Sequence, residues 1–299
     1  MNLAFAIYNK NIMKQLNLFF ELTRLKRPIG YMLLFWPCAW GLTIAYDFEQ
    51  NLNKYFFYLI LFFLGAVLMR SAGCIINDIA DKDFDKKVTR TKNRPIASGE
   101  VSVKIGFFYS AILCGLAFLI LINFNIFTII LALGSMPLAF TYPFMKRFTY
   151  WPQLFLGVTF NYGLILGWTS IYGEIDIIPI IFYIGAIFWT LAYDTIYGFQ
   201  DIKDDEIIGL KSTAIKFKKN PKQFLILSYL IFFISLILIG LKMQFEVIYY
   251  ICLSLVFFQL FIYQIKKFDY KNSKNCLEIF KSNNLLGLIV LVSLISGKL

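Results

Sequence analysis

An all-α, polytopic membrane protein is the fold class this sequence predicts, and three observations carry the prediction. The 299 residues are 59% hydrophobic and 16% charged, with a mean hydropathy of +0.67, whereas a soluble domain is nearer half apolar and a quarter charged. Apolar runs approaching the ~20 residues a helix needs to cross the hydrocarbon core recur along the whole chain. The runs are continuous rather than alternating in polarity, so helices, not barrel strands, satisfy the backbone in lipid.

Charge clusters, Gly and Pro as breaks place about nine spans around a single domain, 1–299, near 29–46, 55–76, 103–122, 126–144, 151–171, 177–199, 224–241, 245–265 and 283–298. The shortest connection falls at Asn123 and Asn125. Basic residues divide by side. One face takes Lys10, Lys14, Arg24, Lys26, Arg27, the 77–104 loop, Lys146 with Arg147, the 200–223 loop and Lys266 through Lys281, while the other holds little beyond Lys54, Lys242 and Lys298. Under the positive-inside rule this predicts a bacterial inner (cytoplasmic) membrane protein with its N-terminus and all long basic loops cytoplasmic. No cleavable leader is visible in MNLAFAIYNKNIMKQLNLFF, so the first span is expected to serve as the insertion signal.

The net charge of +11 does not point to nucleic acid, because the bases lie between apolar runs rather than on a soluble patch. The cysteines (Cys38, Cys74, Cys114, Cys252 and Cys276) are scattered, form no CxxC, and have no histidine to complete a zinc site, so they read as packing residues. The abundant Phe and Tyr are expected to face lipid or the interface. Gly163 and Gly167 form a GxxxG, the signature of close helix packing.

Chemistry concentrates in two places. The second span runs into CIINDIADKDFDKK, where Asn77, Asp81 and Asp85 are spaced four apart and would share one face of a continuing helix, with Asp78 and Asp83 beside them. The sixth span ends in LAYDTIYGFQDIKDDEIIG, where Asp194, Asp201 and Asp205 fall on a second stripe and Asp204 adjoins it. Oxygen ligands on one face suit a hard cation such as magnesium, which is commonly shared with substrate phosphates. Bases accompany both clusters: Arg70, two turns before Asn77 inside an apolar helix, then Lys92, Arg94, Lys146, Arg147 and Lys211. An arginine within a span marks a functional site by default, and the others are donors for phosphate or carboxylate oxygens. Two acidic faces at the same ends of even-numbered spans, flanked by bases, would clamp a polyanion from both sides.

These residues resemble the UbiA-type intramembrane prenyltransferases, most closely the 4-hydroxybenzoate polyprenyltransferase branch. NDIADKDFD fits NDxxDxxxD, RTKNRPIASGEVS resembles the segment that follows it, and AYDTIYGFQDIKDDE resembles the second signature. TYPFMKRFTYWP supplies a YxxxK at Tyr142 and Lys146, and LTRLKRPIGYMLLFWP resembles the first helix. The resemblance implies nine helices around a central cavity with a cytoplasmic cap and a lateral opening for a prenyl tail. It implies one magnesium on Asn77, Asp81 and Asp85, a second on Asp201 and Asp205, and diphosphate held by Lys146 and nearby bases. The implied activity moves a polyprenyl group from polyprenyl diphosphate to the ring carbon ortho to the hydroxyl of 4-hydroxybenzoate, in ubiquinone biosynthesis. Catalytic roles are then expected for Asp81 and Asp85, with Asp201 on the phenol and Arg147 on the benzoate carboxylate. Sister branches with other aromatic acceptors, a membrane transporter, and a non-catalytic diphosphate binder are the rival expectations.

Overall fold

The computed structural model describes residues 2–298, with side chains described from Met13 onward; the charge of Lys10 lies outside them. No strand occurs among the described residues. Fourteen α-helical pieces follow one another: α1 (Asn2–Thr23), α2 (Ile29–Ala45), α3 (Leu52–Ala80), α4 (Lys82–Asp85), α5 (Val103–Leu121), α6 (Ile126–Thr141), α7 (Met145–Phe148), α8 (Pro152–Tyr172), α9 (Ile177–Gly198), α10 (Ile202–Ile207), α11 (Thr213–Lys216), α12 (Pro221–Lys242), α13 (Val247–Phe257) and α14 (Ser273–Lys298). A 3₁₀ turn, Tyr142–Phe144, joins α6 to α7, and a π-helical stretch, Phe258–Ile265, prolongs α13.

Eight of these stretches are long and apolar enough to cross a membrane, and α2 is a shorter apolar helix of 17 residues. Together they coincide with the predicted spans. The largest departure is α14, which starts ten residues before its predicted span because Ser273 through Ser282 continues the helix.

Local chemistry sets the ends. Pro152 and Pro221 occupy the first helical positions of α8 and α12, where the missing N–H costs nothing. Ser102, Asn125 and Asp176 accept hydrogen bonds from the first-turn N–H groups of α5, α6 and α9. Asn125 does double duty, since its amide also donates to the Thr169 carbonyl at 2.7 Å, so the short connection after α5 is pinned to α8.

The scaffold is organised around α2, which packs against α3, α8 and α14. Its contact with α8 is nearly backbone to backbone. A Cβ at Gly41 would stand 2.0 Å from the Leu164 carbonyl oxygen, and one at Gly167 would stand 2.4 Å from that of Cys38. The GxxxG is therefore a packing device, as expected. At the far end of α2, the Lys298 ammonium donates to the carbonyls of Thr43, Ile44 and Tyr46, placing a cation on a helix C-terminus and tying the last span to the first.

The aromatic residues correct the sequence-based expectation. Many do face outward, but Trp40, Trp189, Phe182, Phe232, Tyr193, Tyr229 and Tyr249 are fully buried. Trp40 stacks on Phe182 with centroids 5.5 Å apart and lies 4.9 Å from Trp189. Most of their polar atoms find partners inside: Trp189 Nε1 donates to Asn283 and the Tyr229 hydroxyl to Gln264, whereas the Tyr193 hydroxyl has no hydrogen-bond partner. The cysteines are all free and mostly buried, as packing residues should be.

Because α3 and α9 are the second and sixth spans, their C-terminal ends lie on the same side. The short helices α4, α7, α10 and α11 gather there, and the Lys211 N–H donates to the Lys146 carbonyl at 2.9 Å to join two of these segments. Gly167→Val should force α2 and α8 apart, overpacking a backbone contact at a cost of about 1–3 kcal/mol. A lowered thermal midpoint of the purified protein in detergent is the expected outcome.

Candidate active site

The first acidic segment is not one continuous helix. α3 ends at Ala80, Asp81 turns the chain at φ −95° and ψ 4°, and α4 resumes at Lys82. The i→i+4 pattern nevertheless survives the break, because the Asp81 N–H donates to Asn77 O at 2.9 Å and the Asp85 N–H to Asp81 O at 2.8 Å. Asn77, Asp81 and Asp85 consequently line one cavity. Asp78 points the other way. It is 1% exposed, and its Oδ1 accepts from Arg24 at 2.6 Å and Arg94 at 3.1 Å.

The second segment breaks as well. α9 ends at Gly198 and α10 begins after Asp201, yet the Asp205 N–H donates to Asp201 O at 2.9 Å. Asp194, Asp201 and Asp205 all line the same cavity from the opposite wall; Asp204 does not. The two predicted stripes thus converge, with the chain turning where a straight helix was expected.

The cavity, about 340 Å³, is walled by acids and bases together. Lys146 Nζ donates to Asp81 Oδ2 at 2.5 Å, and Arg94 to Asp85 Oδ2 at 2.8 Å. Arg90 forks onto Asp201, with Nε to Oδ1 at 2.8 Å and Nη2 to Oδ2 at 2.5 Å. Lys211 lines the cavity while its Nζ donates to the Phe148 carbonyl at 3.2 Å. Beside this space, an apolar groove of about 240 Å³ opens between α5 and α6 over a floor from α2, α3 and α8. Arg70, Tyr142 and Phe160 belong to both walls and form the junction. The Arg70 guanidinium sits 5.4 Å above the Phe160 ring, and its Nε is buried without a partner.

Two expected bases are not on the cavity wall. Lys92 is exposed and off the cavity, because the loop after α4 turns its neighbours, not Lys92, inward. Arg147 lies behind Asp81: it donates to the Ala80 carbonyl at 2.5 Å and stacks between Phe84 and Phe144, each centroid 5.0 Å away. Conversely, Arg24, Arg27 and Arg90 line the cavity although their expected role was only to set membrane sidedness or none at all. A signal existed for Arg90, the opening residue of the RTKNRP segment. For Arg24, the left-handed backbone at φ 54° that aims it inward is not readable from residue type.

Electrostatics follow from this crowding. Burial raises the Asp85 pKa above the usual carboxylate range against the pull of Arg94. Burial first, and then the neighbouring charge of Asp201, pushes Asp205 up to about 6. The donor set suits a hard cation. Asp81 Oδ1 is a buried oxygen with no hydrogen-bond partner, the Arg147 guanidinium standing 3.8 Å away in ion-pair range, and a metal would supply the missing close contact. Among the described residues no three Asp, Glu, His or Cys side chains are gathered tightly enough to hold an ion unaided. Additional oxygens from a bound phosphate would complete such a site, the usual habit of magnesium.

The UbiA prenyltransferase family model matches residues 34–286. The chain is 41% identical over 302 residues to the mitochondrial 4-hydroxybenzoate polyprenyltransferase of Bos taurus, across 100% of this chain and 80% of that protein. With the Homo sapiens protein of the same name it is 43% identical over 284 residues, across 94% and 75%. The apo structure of a UbiA homolog from Aeropyrum pernix superimposes with a TM-score of 0.71 at 22% identity, covering 90% of this chain and 97% of that one. A UbiA homolog from Archaeoglobus fulgidus bound to GPP and Mg2+ gives 0.67 at 20% identity, covering 93% and 99%. These likenesses bear out the all-α arrangement of about nine spans. The mitochondrial relatives overturn the bacterial inner-membrane assignment and the cytoplasmic labels that went with it. Lys and Arg asymmetry reports which loops share a side and carries no mark of the organelle; the multi-pass membrane character stands. With the family model spanning most of its length, the chain belongs to the UbiA prenyltransferase family.

Proposed function

We propose that the chain transfers a polyprenyl group from polyprenyl diphosphate to the ring carbon ortho to the hydroxyl of 4-hydroxybenzoate, releasing diphosphate, in ubiquinone biosynthesis. Relatives of that name align along 94% to 100% of the chain. The observation that carries the reading is the junction at Arg70, Tyr142 and Phe160, where a charged cavity meets an apolar groove. A molecule that is diphosphate at one end and hydrocarbon at the other fits this shape. A transporter site would place its charges at mid-span on broken helices; here the acids sit at or beyond the ends of α3 and α9.

Magnesium, when bound, supplies charge neutralisation for the leaving diphosphate, and Asn77, Asp81 and Asp85 on one wall with Asp201 and Asp205 on the other are the residues to hold it. Lys146 and Arg90 donate to phosphate oxygens from the same walls. Tyr142 and Phe160 put aromatic faces beside the allylic carbon, excluding water and favouring developing positive charge. Arg70 takes over from Arg147 as the partner of the acceptor carboxylate, since it lies at the junction with an uncommitted Nε. As the ring carbon attacks and the allylic C–O bond breaks, Asp201 accepts the phenolic proton; the proton on the attacked ring carbon then leaves and a proton returns to the oxygen, which restores the aromatic phenol. Asp78 holds Arg24 and Arg94 in place, Asp194 and Lys211 complete the polar lining, and Asp204 stays off the cavity.

Asp81→Ala and Asp201→Ala should each lower turnover at least about 10²-fold in folded, membrane-inserted protein, measured as prenylated product from labelled prenyl diphosphate, magnesium and 4-hydroxybenzoate. Normal turnover in either variant contradicts the clamp. Because the neutral acid cannot ligate a cation, the rate at limiting magnesium should fall as pH drops through about 6, where Asp205 protonates. Excess magnesium should shift that midpoint downward, because bound cation favours the ionised form; a pH profile at two magnesium concentrations checks both signs. In the groove, a Cβ at Gly65 meets nothing within 4 Å, so Gly65→Leu should insert and narrow the tail path. The expected result is about a tenfold loss in kcat/KM for a long polyprenyl diphosphate relative to geranyl diphosphate, read by direct competition.

A further inference from the structure

The ion pairs at this end of the molecule fall into two kinds. Asp78 is held by Arg24 and Arg94 away from the cavity, with its side chain 1% exposed. The Arg90–Asp201 pair is different. It lies on the cavity wall, its side chains are 41% and 19% exposed, and it joins the loop after α4 directly to the start of α10. Arg90 presents its fork to both oxygens of Asp201, so the edge of the carboxylate that a cation would take is already occupied by a guanidinium. The same guanidinium lies 6.0 Å from the ring of Tyr197, which gives it a second resting surface on the cavity wall. Lys146 stands in the same relation to Asp81, at 2.5 Å.

We infer that Arg90 is an internal counter-ion of Asp201 that a divalent cation must displace, and that the displaced guanidinium is taken up by the diphosphate, so that metal and diphosphate bind as a coupled pair. This rests on the proposed metal role of Asp201. The exchange balances charge at each step: the carboxylate trades one cation for another, and the freed arginine meets an incoming anion instead of standing unpaired. It is also cheap, since a partly exposed ion pair contributes little, whereas the enclosed Asp78 pairs are too costly to open and stay fixed. The consequence is that the metal-free chain holds its two acidic segments together without a ligand, and that metal alone binds less tightly than the carboxylates would allow.

The test uses Mn2+ as a spin-active probe, titrated into the full-length protein in detergent and followed by the loss of the free-ion EPR signal, with and without a non-reactive thio-analogue of an allylic diphosphate. Without the analogue, Arg90→Gln should tighten Mn2+ binding about two- to fivefold, Arg90→Lys less, and the exposed Lys87→Gln not at all. The factor by which the analogue tightens Mn2+ should be smaller in Arg90→Gln than in the natural chain. Unchanged or weaker Mn2+ binding in Arg90→Gln, or an equal gain in Lys87→Gln, overturns the exchange. Asp201→Asn separates the two readings: if it weakens Mn2+ binding or removes one bound ion while Arg90→Gln shows no gain, only the exchange fails, and if it leaves Mn2+ binding unchanged, the metal role of Asp201 fails and the exchange with it.

Discussion

Asp78 is the charge on which the rest of this end of the molecule depends. It sits in the last turn of a membrane span with 1% of its surface exposed, and Arg24 and Arg94 reach it from segments 54 and 16 residues away. Removing one partner of such a buried pair typically costs about 3–5 kcal/mol, because the remaining charge is left in a medium that cannot solvate it. Pairing Asp78 Oδ1 with both arginines therefore ties the end of α1 and the loop after α4 to the last turn of α3, while its Oδ2 has no hydrogen-bond partner. Arg94 passes the constraint on, since it also donates to Asp85 at 2.8 Å and so sets one acid of the cavity wall.

From that fixed layer outward the interactions become progressively looser. Asp81 is buried but receives Lys146 across the cavity, and Asp201 meets Arg90 where both are partly exposed. A site that must bind and release a doubly charged group benefits from this gradient: the inner pairs hold shape, and the outer ones can change partner. The groove between α5 and α6 needs none of this. Its walls are apolar, and it meets the charged layer at Arg70, Tyr142 and Phe160, a junction that keeps polar and hydrocarbon space contiguous yet distinct.

Much of this was legible beforehand, for reasons specific to a membrane chain. Long apolar runs must be helices, so the spans could be placed, and even the weak break at Asn123 and Asn125 proved to be a cap. The four-residue spacing of Asn77, Asp81 and Asp85 did report a shared direction, although by way of a turn at Asp81 that keeps the hydrogen-bond register. Bases were harder. Lys92 and Arg147 satisfy every rule of proximity in sequence, yet one faces outward and the other stacks on Phe84 and Phe144. Long flexible cations carry no periodicity, so their targets cannot be read from spacing. The buried Trp40 and Trp189 were missed because hydropathy weighs apolar character and is blind to which side of a helix meets protein.

By itself, then, the sequence determined the all-helical membrane architecture, the approximate spans, and the two acidic segments, because each follows from local composition or from spacing along one helix. Only the tertiary structure decided that both segments share one cavity, that Arg90 answers Asp201 while Lys92 stays off the cavity, and that Arg70 lies where charged and apolar space meet. These are pairings between residues up to 111 positions apart. They arise from how α3 and α9 are held on opposite walls of one cavity through α2 and α8, and that arrangement rests on backbone contacts at Gly41 and Gly167 that leave no charge pattern to read.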